Sequence, residues 1–203
     1  MRSSKINGLE ASGGPTFLPT PRRRRLIGRF VKNRDGATAV EFGLVALPFF
    51  ALLFAIIETA MIFWSTQVLE TAVADASRKI YTGQFQTEHA GETDPMEIAR
   101  KFREEVCSRV TALFACDSMI EVDIKRFPNG FPSAGLPLPV DEGNFDATSF
   151  GYEASGPNDI VVVRAAMQYP VFLSFMNVSF ANLNNGKRLI MASAAFRNEP
   201  FSQ

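Results

Sequence analysis

The residues able to do chemistry in this 203-residue chain are few and scattered. They are two cysteines, Cys107 and Cys116, a lone histidine, His89, and two carboxylates tied to a strongly apolar stretch, Glu41 and Glu58. His89 lies in a polar segment, and no Cys/His set has the spacing of a metal site. No Gly-rich phosphate loop follows a strand, and no serine occupies a strand-turn-helix elbow. The expected protein is therefore not an enzyme and carries no cofactor and no metal. In one continuous helix, Cys107 and Cys116 would stand about 13 Å apart, beyond the roughly 7 Å that a disulfide spans. A bridge requires the helix to end near Leu113 and the chain to turn back. Two buried thiols are the alternative, but an oxidising compartment favours the bridge, as a staple with no catalytic task.

The two carboxylates direct attention to the element that would hold them. Phe42 to Trp64 is an apolar run of twenty-three residues whose one charge is Glu58. At roughly 1.5 Å per residue it is long enough for a bilayer core of about 30 Å. Arg22 to Arg25, Arg29, Lys32 and Arg34 precede it, and no Lys or Arg follows until Arg78. Through Gly36 there are nine basic and two acidic residues, and from Ala37 onward twelve and nineteen, so the net charge of zero joins ends of +7 and −7. Basic residues stay on the cytoplasmic side, which predicts a single pass with the N-terminus inside and the following domain exported to the periplasm. Trp64 then stands where an interfacial aromatic anchors the outer end. Beside such a helix the arginine run is a topology signal and a contact for anionic lipid, not a nucleic-acid site. A cleaved secretory signal would have a shorter apolar region of about 7–15 residues and a small-residue cut at its end. The nearest such site here, Ala74-Asp75-Ala76, lies well past it.

At the membrane entrance stands Arg34-Asp35-Gly36-Ala37-Thr38-Ala39-Val40-Glu41-Phe42. A basic leader ending in Gly, then an apolar helix with Glu at its fifth residue, resembles the processing site of type IV prepilins and pseudopilins. Cleavage after Gly36 would make Ala37 the new N-terminus. Glycine has no side chain to clash as an extended backbone enters a peptidase. A carboxylate entering the membrane is costly unless paired, and a neighbouring subunit's α-amino group would supply the partner of Glu41. The longer stretch DGATAVEFGLVALPFFALLFAIIETAMIF resembles the N-terminal signature of the TadE/TadG family, pseudopilin-like proteins of tight-adherence (Flp) pilus systems. The likeness rests on Glu41-Phe42, Pro48 and Glu58, and on the ending Phe196-Arg197-Asn198-Glu199-Pro200-Phe201; Ala37 to Gly83 is its most specific part. Pro48 removes one backbone donor and kinks or locally melts the helix. Glu58, about 9 Å along the helix from Trp64, either snorkels to the interface or contacts another helix.

The remaining elements predict what the helix carries. Leu69, Val73, Ala76 and Ile80 continue the helical spacing, and Gly83 is a stop, so residues 38–82 read as one helix of about 68 Å. Asp94-Pro95-Met96-Glu97 supplies a cap, a first-turn proline and an acid three residues on. Ala99, Phe102, Val106, Val110 and Leu113 then trace a buried stripe. Ile120, Val122 and Ile124 alternate with Glu121, Asp123 and Lys125, a half-buried strand. Residues 128–157 hold ten Gly or Pro and read as a long loop, outside the family pattern. Ile160 to Met167 is a buried strand ended by Pro170. After the Asn184-Asn185-Gly186 turn, Arg188 to Phe196 forms the last strand. The expected fold is α+β and pilin-like: a long N-terminal helix, a second helix and a small antiparallel sheet. It divides into a leader at 1–36, a membrane helix at 37–64 and a periplasmic domain at 65–203.

The resemblance implies a minor pseudopilin of the inner membrane, processed by a prepilin peptidase and working with other pilus assembly proteins and pseudopilins. The alternative from a different class is an uncleaved, anchored periplasmic protein that binds a ligand or partner through the 128–157 loop.

Overall fold

The computed structural model describes residues 34–110, 116–131, 135–173 and 180–201. The arginine run at 22–25 and the rest of the leader to residue 33, as well as Leu113, lie outside the described residues. The backbone divides into two units, Met1–Phe50 and Ala51–Gln203. Helix α1, Arg34–Tyr81, is 48 residues long and runs through Pro48 without interruption. In the first unit its large apolar side chains, from Val40 and Phe42 to Phe49 and Phe50, are all exposed.

The second unit opens in the same way, with Leu52, Phe54, Ile56 and Ile57 exposed. At Glu58 one face of the helix turns inward. Glu58, Ile62, Ser65, Leu69, Ala72, Val73, Ala76, Ser77 and Ile80 are buried along one helical face. That face packs on a three-stranded antiparallel sheet of order β1-β4-β5, formed by β1 (Ile120–Phe127), β4 (Ile160–Pro170) and β5 (Lys187–Arg197). Strand β4 lies antiparallel to the helix. The Phe172 N–H just past its C-terminus meets Glu58, while Asp159 just before it accepts from the Asn198 N–H and the next residue, Glu199, donates to the Tyr81 carbonyl. The two elements match in length, since 24 residues of helix from Glu58 and eleven of strand each span about 36 Å. Val161, Val163, Ala165, Met167 and Tyr169 fill the interface.

After α1, Gly83 takes a left-handed φ of 76° and leads into the short helix α2, Gln84–Glu88. The ring of Phe85 stacks edge-on against Phe102 of helix α3, Pro95–Cys107. Asp94 caps α3 by accepting from the Met96 N–H at 3.0 Å, as its sequence predicts. Glu97 binds Arg100. The buried stripe is Ile98, Phe102 and Val106, with Ala99 half-buried. The helix stops at Cys107, earlier than expected. Cys107 and Cys116 are bridged, their Cα atoms 5.6 Å apart, and the short helix α4, Cys116–Met119, feeds β1.

The described residues of 128–157 are not a plain loop. They contain a small hairpin of β2 (Val140–Asp141) and β3 (Asn144–Phe145). Its turn has positive φ at both Glu142 (46°) and Gly143 (82°), the geometry that suits the right-handed strand twist. The C-terminal residues close the opposite end of the sheet. The ring of Phe201 lies where a Cβ on Gly83 would stand, 2.4 Å from its Cγ.

Removing the staple by Cys107→Ala/Cys116→Ala should cost about 2–3 kcal/mol, the range for closing so short a loop. Urea unfolding of the full chain in detergent, with and without reductant, checks this: the double variant should not respond to reductant. Gly83→Ala should cost roughly 2–4 kcal/mol, from left-handed strain plus overpacking. Adding Phe201→Ala should recover the packing share and leave the strain, as read by thermal unfolding.

Candidate functional site

Gly36 is the third residue of α1, and Ala37, Glu41 and Phe42 follow on its first turns. A side chain built on Gly36 would meet nothing within 4 Å. The fold of this chain therefore does not require glycine there, and a glycine inside a helix costs about 0.5–1 kcal/mol relative to alanine. Gly36 is half-buried, Ala37, Glu41 and Phe42 are exposed, and among the described residues the Glu41 carboxylate makes no hydrogen bond or ion pair. The four residues expected at a processing site thus lie together on the first turns of α1, outside the packing of the described residues.

Glu58 is placed differently from the expectation of a snorkelling or helix-contacting carboxylate. It is 5% exposed and accepts from the Phe172 N–H at 3.3 Å. Burial pushes the nearby Tyr169 phenol up, and the charge of Glu58 adds to the shift. The physical reason is that a carboxylate at the end of an apolar run needs shielding, and the end of β4 supplies it from within the chain.

On the far face of the sheet lies a pair that the alternating pattern missed. Asp123 and Arg164 are directly opposite across β1 and β4. Both side chains are buried, with Arg164 Nη2 2.6 Å and Nε 3.0 Å from Asp123 Oδ2. The pair holds down the 128–157 segment. Arg164 Nη1 donates to the Pro137 carbonyl at 2.7 Å, its guanidinium lies 5.2 Å from the Phe150 ring centre, and the Gly151 N–H donates to Asp123 Oδ1. The signal that could have found it is Arg164 itself, a permanent charge inside a β-branched run, which demands an acid on the neighbouring strand. Asp123, expected to face solvent with Glu121 and Lys125, is that acid.

Beside this segment and α3 is a groove of about 490 Å³, lined in part by Glu97, Arg100, Arg103, Glu121 and Phe150. Its charges answer one another: Arg100 pairs with Glu97 and Glu104, and Arg103 with Glu121. They do not converge on a common point that a ligand would fill. His89 packs its ring edge-on against Phe85. Among the described residues, no three His, Cys, Asp or Glu side chains are grouped to hold a metal ion.

These observations define a class: an α+β protein with a pilin-like arrangement, led by a helix that is long and apolar enough to cross a membrane. Within α1 an 18-residue stretch has a mean hydropathy of 2.4 and no buried residue. Residues 36–78 match the family described as TadE-like protein, over most of the stretch that carries the TadE/TadG resemblance. No curated protein and no solved structure matches the chain.

Asp123→Asn should cost about 3–5 kcal/mol, because it leaves the Arg164 charge buried without a counter-charge. Limited proteolysis should then cut between residues 135 and 150, where the parent chain resists. Asp123→Leu/Arg164→Met should recover most of the stability, as measured by urea unfolding.

Proposed function

We propose that this chain is a minor pseudopilin of a tight-adherence (Flp) pilus system, cut by a prepilin peptidase between Gly36 and Ala37. The observation that carries the reading is the register at the mouth of α1. Gly36 stands five residues before Glu41, and neither is used in the packing of the described residues. The TadE-like match over residues 36–78 begins at that glycine and supports the same reading.

In this reading the basic leader stays in the cytoplasm, α1 enters the inner membrane and the sheet lies in the periplasm. The peptidase needs an extended backbone at the cut. Unwinding the first turn of α1 at Gly36 is inexpensive, since the glycine has no packing to lose. After cleavage the α-amino group of Ala37 is free to pair with Glu41 of an adjacent subunit, in register and away from water. Other pilus assembly proteins and pseudopilins are the partners. The periplasm also provides the oxidising conditions that the Cys107–Cys116 bridge needs.

Intact-mass analysis of membranes from cells that carry the peptidase tests the proposal. The mature chain should begin at Ala37, and Gly36→Leu should leave the leader attached. A full-length parent chain in such cells would overturn the reading. Glu41→Gln should still be processed but should lose at least tenfold in co-purification with partner pseudopilins.

A further inference from the structure

We propose that the end of the sheet carrying Phe172 rests on the lipid interface beside α1, as a second membrane contact of the exported domain. The inference rests on the reading that α1 spans a bilayer, and three observations place the contact.

The first is where α1 changes surroundings. Leu52, Phe54, Ile56 and Ile57 are exposed around the helix, whereas Glu58 and then Ile62 and Ser65 are covered on one face. Within one turn the helix passes from a surface suited to lipid to one shielded by the sheet. The hydrocarbon boundary therefore falls close to Glu58, because a carboxylate shielded only by its own domain cannot lie much deeper.

The second is the height of Phe172. Its N–H is bound to Glu58 Oε1, which fixes its backbone at the level of that boundary. The third is the direction of its ring. Val171 and Leu173 are 8% and 7% exposed, whereas Phe172 between them is 66% exposed. The chain alternates, tucking its neighbours into the domain and turning one large aromatic outward. A solitary exposed Phe on a protein surface needs no explanation, but this one is held at the depth where aromatic side chains favour the membrane interface. Phe63 and Trp64 are also exposed, and they follow Glu58 by roughly 8–9 Å along the helix. The apolar span, Phe172 and Trp64 thus succeed one another in the order that hydrocarbon, interface and headgroups require.

Lipid is the occupant, because the exposed apolar surface of Phe172 is continuous in height with the span itself. Two contacts, the helix and a point on the sheet beside it, restrain rotation of the domain about the helix. They would hold one edge of the sheet toward neighbours in the membrane.

Trp64 is the only tryptophan in the chain, which makes the test direct. In a Trp64→Phe background, single tryptophans are introduced by Phe172→Trp, by Leu52→Trp as a reporter of the span, and by Ser193→Trp as a reporter of exposed strand. Each full chain is reconstituted in phosphatidylcholine–phosphatidylglycerol vesicles with and without brominated phosphatidylcholine. The Phe172→Trp chain should be quenched by brominated lipid to at least half the extent of the Leu52→Trp chain. Aqueous iodide should quench it several-fold less than the Ser193→Trp chain. Quenching by iodide like the Ser193→Trp chain would overturn the proposal, and protection from both quenchers would overturn it in favour of cover by protein. Failure of brominated lipid to quench the Leu52→Trp chain would instead sink the spanning reading on which the proposal stands.

Discussion

One helix must satisfy two surroundings, and the change between them at Glu58 governs the rest of the molecule. Its backbone hydrogen bonds close within the helix except for the donor that Pro48 lacks, so the apolar stretch can leave water with few unsatisfied peptide groups. Beyond Glu58 the same helix needs a partner for one face, and the sheet supplies it. On that face the small side chains Ser65, Ala72, Ala76 and Ser77 are buried together with the larger Leu69, Val73 and Ile80. Because β4 runs the full length of the packed face, it becomes the central strand and is buried on both sides. The strands on either side have only one face to bury against the helix.

That central position creates the second constraint. A strand buried on both faces needs a cover for its outer side, and the helix cannot provide it. The Asp123–Arg164 pair solves this by giving the 128–157 segment something specific to bind. A buried ion pair is by itself weak evidence of stability, since removing two charges from water is costly. Here the arginine also satisfies a loop carbonyl and stacks near a ring, and the aspartate accepts a loop N–H. The segment also bridges the free edge of β1, where the Ile124 N–H donates to the Gly151 carbonyl and the Glu153 N–H to the Ile124 carbonyl. A sheet edge open to pairing with other chains is thereby blunted on that side.

Periodicity made much of this legible in the sequence. Leu69, Val73, Ala76 and Ile80 are buried as their spacing requires, and Asp94 caps the helix that its side chain and Pro95 announce. Those signals are local, and each is carried by a few neighbouring residues. What escaped was set by contacts between distant residues. Asp123 obeys the alternation that puts polar residues outward, and it does point away from the helix. Only the cover supplied by the loop makes that direction an interior one. Glu58 reads as a membrane problem until Phe172 arrives from more than a hundred residues away to solve it. The C-terminal Phe201 and Gly83 belong to segments that look independent, yet one ring occupies the space that the missing Cβ leaves.

The glycines divide the chain by what each is for. Gly83 has φ of 76° and a phenyl ring against it; Gly143 has φ of 82°, and a Cβ there would come within 2.7 Å of the Asn184 side chain. In both places the fold itself requires glycine, through backbone conformation and through space. Gly36 satisfies neither condition. It lies in an ordinary helical turn with open space around it, and a larger residue would make that turn more stable. Gly36 thus weakens its own helix without serving the packing of the described residues. The adjacent Glu41 is in the same position, a charge at the start of an apolar helix with no partner among the described residues. The domain that packs on α1 is explained by its internal contacts, whereas those contacts do not account for Gly36 and Glu41 at the mouth of α1.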